Sequence, residues 1–217
     1  MPPLFEVTPF AIVFGGTLLA IVLRRGRDEV LRALTVLAWL LRPRLQAAHL
    51  RAKLAPLVAR IVRDGILRAD HIAAGDTDID QITGWLLITR SAEQMRILED
   101  EIRARRRAER QIGADVMCDM AQIAPVVGLA GTLFSLASLA NPAGAADGLM
   151  QAVGLAVLTT LYGVVLAHLV ADPIASLIER RAAEEDRQRR ELFEWFRTAI
   201  APAVKHRHDG PLMERVA

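Results

Sequence analysis

The stretch MAQIAPVVGLAGTLFSLASLA, Met120 to Ala140, carries no charged side chain. A helix needs about 20 apolar residues to cross the hydrocarbon core of a bilayer, so this segment predicts a membrane span. A second such stretch, GLMQAVGLAVLTTLYGVVLAHLV, covers Gly148 to Val170, with His168 as its one titratable group apart from Tyr162. The connection, Asn141 to Asp147, is short, so the two spans form an antiparallel hairpin. Upstream, Leu4 to Leu23 is also long enough to cross, with Glu6 its only charge. No basic region precedes it and no small-residue cleavage site precedes Arg24, so it reads as a retained span rather than a cleaved leader.

Charge placement gives the orientation, because basic residues flanking spans stay in the cytoplasm. Arg24, Arg25 and Arg27 follow the first span; Arg103, Arg105, Arg106, Arg107 and Arg110 precede the second; Arg180, Arg181, Arg187, Arg189 and Arg190 follow the third. No Lys or Arg lies between Met120 and Val170. The expectation is an all-α, polytopic membrane protein with three transmembrane helices, the N-terminus outside and the C-terminus cytoplasmic. Its segments are residues 1–23 as first span, 24–119 as a cytoplasmic helical region, 120–170 as a transmembrane hairpin and 171–217 as a cytoplasmic helix and tail.

Composition agrees with this and excludes other classes. Of 217 residues, 53% are hydrophobic, above the roughly 45–50% of ordinary soluble domains. Cys118 is the only cysteine, so no intrachain disulfide and no paired-cysteine metal site can form. No nucleophile–base set, phosphate-binding glycine loop or metal-ligand spacing is present, which argues against an enzyme, a cofactor or a nucleic-acid partner.

Between the first two spans, Val30, Leu31, Leu34, Leu37, Leu40 and Leu41 recur at helical spacing and predict a buried or interfacial helix ended by Pro43. A second helix is expected over about Leu45 to Val62, with Pro56 inside it and Asp64-Gly65 as its stop. Gly75 to Thr77 reads as a loop, and one long helix is expected from about Asp80 into the second span. The C-terminal arm, Ile174 to about Ile200, reads as a charged helix, with Pro202 and Gly210 marking a loose tail.

The hairpin carries the functional signal. Ala124, Gly128, Gly131, Thr132, Ser135 and Ser138 recur at three- and four-residue steps, as do Ala152, Ala156, Thr159, Thr160, Gly163 and Ala167. Small residues so spaced let helices approach closely in lipid. Helix packing alone would satisfy that pattern. At 1.5 Å rise per residue, Thr132, Thr159 and Thr160 also sit at similar depth, where hydroxyls can line a water path. Neither span of the hairpin holds a carboxylate within the membrane, so a titrating acid would have to come from another polypeptide.

The segment Ala124-Pro125-Val126-Val127-Gly128-Leu129-Ala130-Gly131-Thr132-Leu133 resembles the entrance of the third span of MotA-type flagellar stator proteins. Ala156-Val157-Leu158-Thr159-Thr160-Leu161-Tyr162-Gly163, with Leu166-Ala167 and Pro173-Ile174-Ala175, is similar to their last span and its exit. The wider group is the MotA/TolQ/ExbB proton channel family. The resemblance implies a homo-oligomeric ring of five in the inner membrane, around single-span partners of the MotB, ExbD or TolR type that supply an intramembrane aspartate. It implies that Thr132 and Thr160 line the ion path with Thr159 beside it, and that Pro125 and Pro173 couple ion binding to cytoplasmic movement. Arg63, Asp64 and Asp70 fall near where stator proteins carry rotor-facing charges, although a solvated face is the default reading for such residues. The three-span layout is that of TolQ and ExbB, yet the glutamate those proteins carry early in the last span has no counterpart in Leu149 to Leu158. A flagellar stator, an outer-membrane energy transducer and a non-conducting scaffold therefore stand as the readings.

The remaining residues have plainer readings. Cys118 is expected to be inert at the membrane surface. His168 reads as an interface cap or a proton relay. Glu6, Asp119 and Asp172 border the membrane and are expected in water, and Trp39, Trp85 and Trp195 are expected to pack.

Overall fold

The computed structural model describes residues 7–70, 72–137 and 147–205. All regular structure among them is helical. The elements are α1 (Val7–Arg25), α2 (Arg27–Leu40), α3 (Ala47–Asp64), a short 3-10 turn (Ile66–Arg68), α4 (Thr77–Thr89), α5 (Ala92–Ala137), α6 (Asp147–Val165), a π-helical turn (Leu166–Ala171) and α7 (Asp172–Lys205). Three helical stretches are long and apolar enough to cross a membrane: α1, α5, and the run that begins at Leu149. Glu6, Ser138, Asn141 to Ala146 of the predicted outer loop, and Gly210 lie outside the described residues.

The chain divides into two compact units, 1–42 with 108–181, and 43–107 with 182–217. In the first, Gly26 adopts φ +82 and separates α1 from α2 after a single residue, a conformation open to glycine but costly to other residues. Helix α2 lies against α5 at Gly113, where a Cβ would stand 2.6 Å from Val36 Cγ1. Trp39 closes its end, with the Arg110 and Arg181 guanidinium carbons 3.7 and 4.9 Å from its ring centroid. Arg181 also donates to the carbonyls of Leu40 and Arg42, satisfying the C-terminus of α2. Arg25 and Asp119 form an ion pair between α1 and α5, and Arg24 approaches the same carboxylate at 3.5 Å. Asp119 is buried, which corrects the expectation that it sits in water; a charge at that position needs a partner, and it has two.

The second unit has a conventional apolar core. Leu50, Leu54, Leu57 and Ile61 of α3 point inward at helical steps, against Ile79, Ile82 and Leu86 of α4, Met95 and Ile102 of α5, and Leu192, Phe193, Phe196 and Ile200 of α7. Gly65, at φ +79, ends α3 where the sequence placed the stop. Pro56 lies inside α3 and Pro202 inside α7, which runs on to Lys205 in place of the tail expected to begin at Pro202. The predicted continuous helix from Asp80 is in fact two. Arg90 takes the left-handed conformation (φ 56), and Ser91 Oγ accepts from the Gln94 backbone N–H at 3.3 Å, starting α5 afresh. Helix α4 starts at Thr77, capped by Asp76, which accepts from the Ile79 N–H. Trp195 lies beneath the Arg51 guanidinium, 5.9 Å from its ring centroid, whereas Trp85 is exposed.

Charged groups interlock beside this core. Arg189, buried, makes a two-pronged contact with Asp76 (2.9 and 2.7 Å) and bonds Glu185 at 3.0 Å. Asp186 accepts from Arg103 and Arg107, and Glu99, also buried, faces Arg197 at 3.5 Å. Burial pushes the Asp76 carboxyl up, but the bonds and charge of Arg189 outweigh it and hold the group below the usual carboxylate range. Asp186 is likewise depressed, with Arg107 and Arg103 outweighing its burial. Glu99 goes the other way: burial raises it, and Arg197 offsets only part. Depressed carboxyls contribute stability above their unfolded pKa, near 4, and lose it as pH falls through the folded value. A raised carboxyl costs stability while ionised and recovers it on protonation. Helix melting followed from pH 7 to 3 should therefore weaken below about pH 4. Asp76→Asn should be less stable at pH 7 with a shallower acid limb. Glu99→Gln should be more stable at pH 7, its advantage closing as the pH drops; equal stability at both ends would refute the assignment.

Candidate ion path

Helices α5 and α6 meet through their smallest residues. A Cβ built on Gly128 would stand 2.8 Å from the Thr159 carbonyl oxygen, and one on Gly163 only 2.7 Å from the Ala124 carbonyl oxygen. Ser135 Oγ donates to the Ala152 carbonyl at 2.8 Å, tying the far end of the pair. Toward the other end, Ala121 and Ala124 pack on Ala167 and Ala171. The antiparallel contacts thus recur at three- and four-residue steps, the small-residue geometry that brings backbones together in lipid. Helix α1 joins by Gly16, where a Cβ would clash with Val127 Cγ1 at 2.8 Å, and by the edge-on contact of Phe10 with Tyr162.

This register decides where the three threonines point. Thr159 is fully buried, its side chain 3.1–3.3 Å from the Cβ position of Gly131, and its hydroxyl bonds the Ala156 carbonyl at 3.0 Å. Thr132 and Thr160 instead share an open groove of about 530 Å³, together with Ala156, Val157, Leu161 and Val164. Thr132 Oγ1 donates to the Leu129 carbonyl at 2.6 Å, and Thr160 Oγ1 to the Ala156 carbonyl at 3.3 Å. Both donors are spent within their own helices. The groove receives the oxygen lone pairs, so its polar points are acceptors on an apolar wall.

Pro125 lies inside α5 without ending it. Pro173 opens α7 directly after the π-helical turn. Having no N–H, it leaves the Leu169 carbonyl without its usual partner, and the backbone widens so that the Asp172 N–H bonds the Ala167 carbonyl. His168 Nδ1 lies 2.8 Å from Asp172 Oδ2 on this turn. Arg63, Asp64 and Asp70 are far along the chain from the groove, in the second unit. Arg63 bonds Asp64 at 3.1 Å, and Asp70 approaches Arg60 at 3.8 Å. The Arg63 hydrogen bond holds the Asp64 carboxyl below its ordinary range.

The buried Arg25–Asp119 pair was not singled out from the sequence as a joint between spans. The available signal was an acidic residue one position before a span with arginines ending another, but nothing in the sequence aligns the two. Among the described residues no cluster of three or more His, Cys, Asp or Glu could hold a metal ion.

The described residues form an all-helical chain with three apolar stretches long enough to span a membrane, two of which meet at a hydroxyl-bearing groove. The chain belongs to the MotA/TolQ/ExbB proton channel family, whose sequence profile matches residues 72–191. It is an integral membrane protein, and its family is one of channels and transducers rather than enzymes. It is 24% identical over 188 residues to chemotaxis protein PomA of Vibrio alginolyticus, covering 85% of this chain and 74% of PomA. To motility protein A of Borreliella burgdorferi it is 32% identical over 75 residues, 35% of this chain and 29% of that protein. Its fold matches a chain of the flagellar MotAB stator complex of Bacillus subtilis with a TM-score of 0.78, at 20% identity over 97% of this chain and 84% of that one.

The close contact is testable. Gly163→Ala places a methyl against backbone that cannot yield, and should cost about 1–3 kcal/mol. Gly154→Ala, with nothing within 4 Å of its Cβ position, should be neutral. Thermal midpoints of the two purified variants in detergent should differ accordingly, and equal midpoints would contradict the register.

Proposed function

We propose that this chain is the ring subunit of an ion-driven stator, passing protons along the Thr132–Thr160 groove and converting their flow into mechanical work. One observation carries the reading. At mid-membrane the groove offers two hydroxyl oxygens as acceptors, both donors being committed to helix carbonyls. An acceptor-only site favours a cation, a hydronium or the O–H of a protonated acid over a carboxylate anion. The chain has no acid of its own at that depth, so the proton carrier comes from a partner: a single-span helix of the MotB type bearing an intramembrane aspartate, enclosed by five copies of this chain. The groove is the wall against which that acid discharges. Similarity to PomA and to a MotAB stator chain supports this over an outer-membrane transducer.

The chain lies in the inner membrane with its N-terminus outside and its C-terminus cytoplasmic. Pro125 and Pro173 transmit the change at the groove, and Arg63, Asp64 and Asp70 face a rotor. Reporter fusions after Arg27, at Gly144 and at the C-terminus should read inside, outside and inside; a cytoplasmic reading at Gly144 would overturn the topology.

Thr160→Val keeps shape and removes the groove oxygen, and should abolish proton flux through the native complex while leaving its recovery unchanged. Thr159→Val is the control. Its hydroxyl is buried against α5 and bonds only its own helix among the contacts seen here, so flux should persist, at a loss of at most about 0.6–2 kcal/mol of stability. Undiminished flux through the Thr160 variant would favour a packing scaffold.

A further inference from the structure

The groove leads somewhere. Val157, Leu161 and Val164 line it on α6, and His168 lies four residues beyond Val164 and seven beyond Leu161, on the same helix face. It is eight residues past Thr160, about 12 Å toward the cytoplasmic end. Leu161 and Val164 bring no titratable group, so His168 is the first such side chain that this face presents after Thr160. On α5, Thr132, Leu129, Pro125 and Gln122 follow one another at three- and four-residue steps, and Gln122 is exposed. Beyond the two threonines, the helix positions in line with the groove thus become polar again at Gln122 and His168.

We infer that His168, oriented by Asp172, is the cytoplasmic exit relay for the proton. Its neighbours Ala167 and Ala171 are fully buried against α5, which fixes the π-helical turn and holds the imidazole outward. Nδ1 faces Asp172 Oδ2 at 2.8 Å, so Nε2 is the ring nitrogen that Asp172 does not hold, and the side chains of His168 and Asp172 are 62% and 50% exposed. An exposed polar pair one helical turn apart contributes at most about 0–1 kcal/mol, so stability does not account for it. Asp172 is the partner bonded to His168. Cys118 on α5 lies within electrostatic reach of Asp172, and also of Asp115, Asp119 and Glu179. Asp119 is already neutralised by Arg25 and Arg24.

The step balances as proton transfer alone. The partner's carboxylic acid loses H⁺ through groove water to Nε2, giving a carboxylate and an imidazolium. The imidazolium then releases its Nδ1 proton by way of Asp172 to cytoplasmic water, and exchange with water restores the starting tautomer. Imidazole suits this because both its forms are accessible near neutral pH. The assignment rests on the groove being the ion path, and it fixes the ion as a proton, since a sodium ion has no use for a base at the exit.

The test is proton uptake by the native complex in liposomes loaded with a pH-sensitive dye. His168→Ala and His168→Asn should each lower flux at least tenfold with normal complex recovery, and added imidazole should restore His168→Ala. Full flux in both variants while Thr160→Val is silent would overturn the relay and leave the ion path standing. Loss of flux that imidazole does not restore would make His168 structural and overturn the relay as well. Flux unaffected by Thr160→Val, or absent from the wild-type complex, would overturn the ion path and the relay with it.

Discussion

The membrane unit rests on the approach of two backbones. Lipid gives no hydrophobic reward for bringing helices together, so α5 and α6 must gain from dispersion contacts and hydrogen bonds. They do so because Gly128, Gly131 and Gly163 have no side chains to hold them apart. Everything at the groove follows. The register set by Gly128 against Thr159 and by Gly163 against Ala124 turns Thr159 inward and leaves Thr160 facing out. It also sends Ala167 and Ala171 onto Ala121 and Ala124, which fixes the turn that carries His168.

The two units solve the same problem with different chemistry. In the second, water drives Leu, Ile and Phe side chains inward, and arginines tie the helices at the edges of that core. Those ties are not cheap stabilisers, because burying Arg189 and Glu99 costs solvation that only good geometry recovers. What they offer is specificity. Arg189 reaches both the N-cap of α4 at Asp76 and Glu185 on its own helix, a contact that exists in only one alignment of α4 with α7. In the first unit, Arg25 and Asp119 do the same for α1 and α5.

Much of this was legible in the sequence. Three uncharged or nearly uncharged runs gave the spans, Gly65 gave the end of α3, and the small-residue stripes gave the α5–α6 contact. The break at Arg90–Ser91 was missed because no proline or glycine marks it; the signal was Ser91 followed three residues later by Gln94, a capping pattern. The burial of Asp119 was not legible at all, since its partner lies 94 positions away. Nor could the sequence choose between Thr159 and Thr160. Adjacent helical residues differ by about 100°, and only the neighbouring helix says which of them is covered.

The polarity of the groove carries a further consequence for how such a chain works. A hydroxyl that donates to an i−3 or i−4 carbonyl must give up that bond before it can stabilise an anion. On the stator reading proposed above, a partner carboxylate that has just lost its proton would find no donor at Thr132 or Thr160 in these rotamers, in surroundings where an unpaired charge is expensive. The protonated acid can donate to either oxygen. On that reading the groove favours one protonation state of the partner at one position, and loss of the proton makes that position unfavourable. A free-energy difference between two states at fixed geometry is what a proton gradient needs to drive displacement. In the proposed stator, Thr132 and Thr160, whose hydroxyls bond carbonyls of their own helices, would supply it without any charge of their own.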